Sequence, residues 1–144
     1  MLMSDITNGG PMPLLEKTLA FTAARQKMLA TNVANITTPG YRAKQLDSAA
    51  FQKALSAASQ KRREHGGAFE LSGSKEFRTD SAGLLQVTPS EEPAENLMFQ
   101  DGTNARIEQQ MALLAENAMV NQAAAEMLKG SFAGLERAIR GRAI

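Results

Sequence analysis

The stretch that decides the architecture is Asn104–Arg140, NARIEQQMALLAENAMVNQAAAEMLKGSFAGLERAIR. Ile107, Met111, Leu114, Ala118, Asn121, Ala125, Leu128, Phe132, Leu135 and Ile139 follow one another at spacings of four and three, and nine of these ten positions are apolar. A 3.5-residue repeat held over four heptads predicts a helix that packs along another helix for its whole length. At 1.5 Å per residue such a helix is about 55 Å long. That exceeds the core of a compact domain of this size. The seam therefore predicts a rod-like shape, with partner helices drawn from the other end of the chain, from neighbouring molecules, or from both. Asp101-Gly102-Thr103-Asn104 reads as a turn and N-cap, with Glu108 expected in the first turn, and Arg137, Arg140 and Arg142 suit the negative pole at the far end. Gly130 and Gly134 lie on one face with Ala138; they are either a soft spot or a place where another backbone comes close.

A second helix is predicted from Pro13 to about Asn35. Proline suits a first helical turn, and Glu16 is expected near the positive pole. Leu15, Leu19, Thr22, Gln26, Leu29, Val33 and Ile36 repeat the four-three spacing. Leu14, Phe21 and Met28 form a second stripe beside it, so this helix should be contacted on more than one side. Thr38-Pro39-Gly40-Tyr41 stops it: proline disfavours helix at the residue before it, and Pro-Gly at the centre of a turn fits type II. The first ten or so residues read as disordered.

The middle, 42–100, holds most of the serines and glycines. Ser48–Arg63 predicts a short amphipathic helix with Ser48 as its N-cap and Phe51, Leu55 and Ala58 on one face. Weak strands are expected at Ala68–Leu71 and Leu84–Val87. Composition leaves open whether this segment is a small peripheral domain or is flexible. The domain plan is thus 1–12 disordered, 13–41 helix and turn, 42–100 middle, and 101–144 C-terminal helix.

Composition narrows the function classes. The chain has 144 residues, 5% aromatics, no tryptophan and no cysteine. Thiolate chemistry and zinc–thiolate sites are excluded. The net charge is +1, and basic and acidic residues number five and three in 1–47, six and seven in 48–100, and five and five in 101–144. No segment has the basic excess of a nucleic-acid binder. His65, the one histidine, sits in a loop-like context and suggests no triad or metal partner. No catalytic, cofactor or metal site is expected. Glu91, Glu92 and Glu95 read as a solvated acidic stretch, and Lys61-Arg62-Arg63 as a solvated helix end. The N-terminus does not read as a secretory signal and no apolar run would span a bilayer, which by themselves favour the cytoplasm.

Residues 30–41, Ala-Thr-Asn-Val-Ala-Asn-Ile-Thr-Thr-Pro-Gly-Tyr, resemble the N-terminal signature of the bacterial flagellar axial (rod and hook) proteins, Ala-x-Asn-hydrophobic-Ala-Asn-x-x-Thr-Pro-Gly-Tyr. Asn32, Ala34, Asn35, Thr38, Pro39, Gly40 and Tyr41 all fall on its fixed positions. Asp101 to Asn104, Ile107-Glu108, Met111, Leu114, Asn117, Leu128, Phe132, Leu135 and Ala138-Ile139 resemble the C-terminal end of the short rod subunits of that family. The likeness covers about 13–46 and 100–142. Two departures stand out: an amide at Asn121, where the family often has an aromatic nearby, and Leu97-Met98-Phe99 in place of Pro-Ser-Leu.

The resemblance implies a mainly α fold whose N- and C-terminal helices form an elongated coiled coil, with an irregular or flexible middle. It implies a structural subunit of the proximal rod of the flagellar basal body. Its partners would be copies of itself, other rod proteins, the junction of rod and membrane ring, and the flagellar type III export apparatus in transit. Neither nucleic acid nor a small-molecule substrate would take part. The location would then be the periplasmic rod, reached without a cleaved signal peptide. Asn32, Asn35 and Tyr41 would take part in subunit packing. Phe51 and Leu55 resemble the phenylalanine-x-x-x-hydrophobic signal read at the export gate, though the same pair is equally one face of a short helix. The rival reading from another class is a soluble helical adaptor that dimerises through its C-terminal heptads.

Overall fold

The computed structural model describes residues 10–93 and 103–141. Residues 1–9 of the N-terminus, read as disordered, and Glu95, Leu97-Met98-Phe99, the Asp101-Gly102 turn and Arg142 of the sequence reading lie outside them; Met12, also read as disordered, instead opens a helix and is buried. The elements are α1 (Met12–Ala34), β1 (Lys44–Gln45), α2 (Ser48–His65), β2 (Phe77–Thr79), β3 (Leu85–Val87), β4 (Ser90–Glu91) and α3 (Thr103–Arg140). The fold is mainly α, with two terminal helices flanking a middle of one helix and short strands.

Helix α1 begins at Met12 behind Pro11, so Pro13 lies in the first turn and Glu16 falls beyond it. Both stripes read from its sequence find partners. Phe21 and Met28 of the second stripe, with Leu29, enter the core together with Leu46, Phe51, Leu55 and Phe77. Thr22 and Gln26 of the first stripe face α3 through hydrogen bonds to Asn117. Two-sided contact is the reason α1 tolerates so wide an apolar face.

The core centres on three phenylalanines. Phe21 and Phe51 stack with centroids 3.9 Å apart at 5°. Phe77 meets them edge-on, at 6.3 and 5.3 Å. Edge-on and offset contacts of this kind add to simple area burial. Helix α2 is thereby anchored through Phe51 and Leu55, both buried. Its N-cap is Asp47, whose Oδ1 accepts from the Ala50 N–H at 2.9 Å. Ser48, expected as the cap, is instead the first helical residue.

The middle is therefore a small lobe and not a bare linker. β2 and β3 form an antiparallel hairpin with Phe77 opposite Val87. Asp80 closes its turn by accepting from the Leu84 and Ala82 N–H groups and from Gln86. The Leu84 N–H, then Gln86, hold its carboxyl below the ordinary carboxylate range. β1 and β4 pair antiparallel, Lys44 opposite Glu91, which returns the end of the lobe to its beginning. Ala68–Leu71 is not a strand: Phe69 and Leu71 pack irregularly against the core. The acidic stretch is not simply solvated either. Glu91 pairs with Arg42 at 3.2 Å and Glu92 with Arg106 at 3.1 Å. The latter ties the last strand to the start of α3.

Helix α3 starts at Thr103, so Asn104 lies inside the first turn and Glu108 beyond it. It runs unbroken through Gly130 and Gly134, and a methyl added at either would meet nothing within 4 Å. Among the described residues, no other backbone approaches them.

Candidate assembly site

The sequence motif at the end of α1 folds into one hydrogen-bonded unit around Asn32. This side chain is 2% exposed. Its Oδ1 accepts from the Tyr41 hydroxyl at 2.9 Å and from the Lys44 N–H at 2.9 Å. Its Nδ2 donates to the Lys44 carbonyl at 2.7 Å and to Gln110 Oε1 of α3 at 3.3 Å. An amide offers two donor and two acceptor sites, and all four are used. Asn32 thus joins α1, the turn, β1 and α3. Its neighbours hold the turn. Asn35 Nδ2 donates to Thr31 O at 2.9 Å, and Asn35 Oδ1 accepts from the Thr38 hydroxyl at 3.3 Å. The Tyr41 N–H donates to Thr38 O at 3.2 Å, and Gly40 has φ +75°. This is the type II geometry that Pro-Gly predicts. Ala34, Thr38, Pro39 and Gly40 are exposed. Tyr41 is half-buried, and burial pushes its phenol above the ordinary value.

The helix pair is antiparallel. Asn32 meets Gln110 near one end, while Thr22 meets Asn117 and Asn121 further along. Asn117, 1% exposed, donates to Thr22 O and to Gln26 Oε1, both at 2.9 Å. Asn121 donates to the Thr22 hydroxyl at 2.6 Å. Extending this pairing, α3 passes Met12 at about residue 130, and roughly 15 Å of it continues beyond the start of α1.

The face that α3 presents inward is not the one read from its heptads. Gln110, Asn117 and Ala124 are the buried positions, seven apart, with Leu114, Asn121, Leu128 and Leu135 half-buried beside them. The predicted seam shares that second column, and Ile107 above it is also half-buried. Its other column, Met111, Ala118, Ala125, Phe132 and Ile139, is exposed, with Met111 at 53%, Phe132 at 48% and Ile139 at 77%. These residues follow Gln110, Asn117, Ala124, Ser131 and Ala138 by one position. At 3.6 residues per turn they lie about 100° further round the helix. The sequence reading passed over Gln110 and the buried role of Asn117 because both are polar. The available signal was amide spacing: 110 and 117, followed by small Ala124 and Ser131, form a seam one position out of step with the apolar one. On the other flank Val120 and Met127 are also exposed. The apolar surface of α3 is wider than α1 covers.

Phe51 and Leu55 lie in the core, at 2% and 8% exposure, and present no surface in the folded chain. His65 is exposed, with Nδ1 3.3 Å from Lys61 O. Of the basic run, Lys61 pairs with Glu70 at 3.2 Å and Arg62 donates to Gly10 O at 3.0 Å. Among the described residues, no three His, Cys, Asp or Glu side chains are grouped to hold a metal, and no helix is long and apolar enough to cross a membrane.

No family model matches the chain, and no solved structure matches it. Two curated proteins do. The flagellar basal body rod protein FlgB of Aeromonas hydrophila is 26% identical over 127 residues, covering 85% of this chain and 87% of its own. The flagellar basal body rod protein FlgB of Bacillus subtilis (strain 168) is 27% identical over 132 residues, covering 92% and 95%. Both relatives are flagellar basal body rod proteins by name. The chain is thus similar, along nearly its whole length, to two flagellar basal body rod proteins.

Proposed function

We propose that this chain is a non-catalytic structural subunit of the flagellar basal-body rod, in its proximal part. The observation that carries the reading is the exposed apolar column Met111, Ala118, Ala125, Phe132 and Ile139 on a long terminal helix whose other face is already paired. A monomer leaves such a column in water only at a cost of roughly 25 cal/mol per Å² of apolar surface. Packed neighbours in a helical stack remove that cost. The similarity to two rod proteins, nearly end to end, supports the same reading.

In this reading the partners are copies of the chain, other rod proteins and the junction of rod and membrane ring. The site of action is the periplasmic rod, reached through the flagellar type III export apparatus without a cleaved signal. The Asn32–Tyr41 unit holds the turn so that the middle lobe leaves the helical layer at a set angle. Phe51 and Leu55, if read at the export gate, are read from the unfolded chain, because folding closes both into the core.

The test replaces Met111 and Phe132 by lysine in a strain lacking the native gene. Both side chains are about half exposed, so the subunit should fold with an unchanged circular dichroism spectrum. Electron microscopy of isolated basal bodies should show no rod, and cells should not swim. A normal rod in that strain would remove the assembly role of this column. The soluble-adaptor rival predicts a different pattern: loss of a solution dimer, with motility intact.

A further inference from the structure

Sulfur chemistry in this chain rests on methionine alone. The chain has eight methionines, no cysteine and no tryptophan, so neither a thiol nor an indole consumes an oxidant first. Exposure of the thioether then decides where oxidation falls. Among the described residues the methionines divide sharply. Met12 and Met28 of α1 are buried, at 3% and 7% exposure, whereas Met111, Met119 and Met127 of α3 stand at 53%, 68% and 63%.

The three exposed sulfurs are not equivalent. At 3.6 residues per turn, the step from Met111 to Met119, and again to Met127, turns about 80° round the helix. Met111 alone falls in the exposed column with Ala118, Ala125, Phe132 and Ile139. It is the large side chain at that column's N-terminal end, because Ala118 and Ala125 separate it from Phe132. Oxidation at Met111 therefore changes the chemistry of the column, and oxidation at Met119 does not.

We propose that Met111 is an oxidation switch on the α3 column: a peroxide converts its thioether to the sulfoxide in the unassembled chain, and the polar product stops the column packing against a neighbour. The second half rests on the proposed role of that column in the rod. In the step, the sulfur lone pair attacks one peroxide oxygen. An S–O bond forms and the O–O bond breaks. Sulfur is oxidised, and the other oxygen leaves as water with the proton of the transferred one. The sulfoxide oxygen is an acceptor in a column of alanine, phenylalanine and isoleucine side chains, which donate nothing. Burying it unpaired weakens packing about 5–150-fold. A packed column shields the sulfur, so the switch acts before assembly and not after it.

The experiment has two arms. In the first, the purified chain is treated with hydrogen peroxide and sulfoxide formation is followed at each methionine by peptide mass spectrometry. Met111, Met119 and Met127 should react about tenfold faster than Met12 and Met28, and the difference should vanish in denaturant. In the second, Met111→Gln, whose amide stands in for the polar sulfoxide, is compared with Met119→Gln in the strain lacking the native gene. Met111→Gln should give no rods and Met119→Gln normal ones. Met111 reacting as slowly as Met12 and Met28 would overturn the site. Normal rods with Met111→Gln, where the Met111 and Phe132 lysine pair gives none, would overturn the switch and leave the rod reading standing. Loss of rods with both glutamine variants would also overturn it, because the effect would not belong to the column. Normal rods with the lysine pair would overturn the rod reading and the switch with it, while the reaction rates still decide the site.

Discussion

Replacing Asn32 by alanine is the sharpest test of how the turn is held. The substitution removes four hydrogen bonds, three of them at 2.7–2.9 Å and one at 3.3 Å. It leaves the Lys44 N–H, the Lys44 carbonyl, the Tyr41 hydroxyl and Gln110 Oε1 without that partner. A buried polar group left unsatisfied costs about 1–3 kcal/mol. The Tyr41 hydroxyl is half-buried and can turn to water, and the Gln110 side chain can rotate. The two backbone groups of Lys44 have no such freedom. The expected loss is therefore about 2–4 kcal/mol, a large share of the roughly 5–15 kcal/mol that holds an ordinary domain. Urea unfolding followed by circular dichroism at 222 nm would measure it, with equal slopes in both proteins showing that only stability has changed. A cycle with Tyr41→Phe should give a coupling of about 0.5–1.5 kcal/mol. A loss below about 0.5 kcal/mol for Asn32→Ala, or zero coupling, would mean that the four bonds are replaced freely by water and that the motif has no structural role.

Three further outcomes follow from the same geometry. Gly40→Val puts a β-branched residue at φ +75°, where the surroundings are open, so the cost is backbone strain of about 1–3 kcal/mol; the subunit should be made and exported but build no rod, and normal swimming would reduce the turn to a dispensable link. Asn121→Leu removes the bond to Thr22 but makes the shared column wholly apolar; size-exclusion chromatography with light scattering should show stronger self-association with mixed register, whereas a single better-ordered species would rule out a register role. For Tyr41, burial raises the phenol pKa, so the neutral hydroxyl that donates to Asn32 is the form the fold favours; its contribution is complete below the ordinary value near 10 and fades as pH rises through the folded value. The stability difference between wild type and Tyr41→Phe should therefore shrink above pH 10, and a difference that stays constant to pH 12 would refute it.

The local signals in this chain were strong and are reproduced in the structure. Heptad spacing over 104–140 predicts one long helix, and α3 spans Thr103–Arg140. Pro39-Gly40 predicts a type II turn, and the φ of Gly40 with the Tyr41-to-Thr38 bond matches it. Two stripes on the first helix predict two contacts, and α1 has them. Each of these depends on backbone geometry and on the period of apolar side chains, which act over a few residues and are written in order along the chain.

Pairing across distance was not legible in the same way. Apolar spacing marks which positions of α3 leave water, but not which of them meet α1 and which await another molecule. Tertiary structure decides this through hydrogen bonds between residues 78 to 99 positions apart: Asn32 to Gln110, Asn117 to Thr22 and Gln26, and Asn121 to Thr22. Amides cost stability when buried alone and recover it only when matched, so the matched polar column turns inward to α1. The apolar column of Met111, Ala118, Ala125, Phe132 and Ile139 stays outside. The middle lobe follows the same logic. Phe51 and Phe77 are weak signals in a serine- and glycine-rich stretch, yet stacking on Phe21 from a different helix turns that stretch into a core. The sequence by itself determined the three helices, to within a residue or two at each end, and the turn after α1, because those obey local sterics and periodicity; the strands, the facing of α3 and the existence of the lobe were decided only in three dimensions, because each needs a partner supplied from elsewhere in the chain.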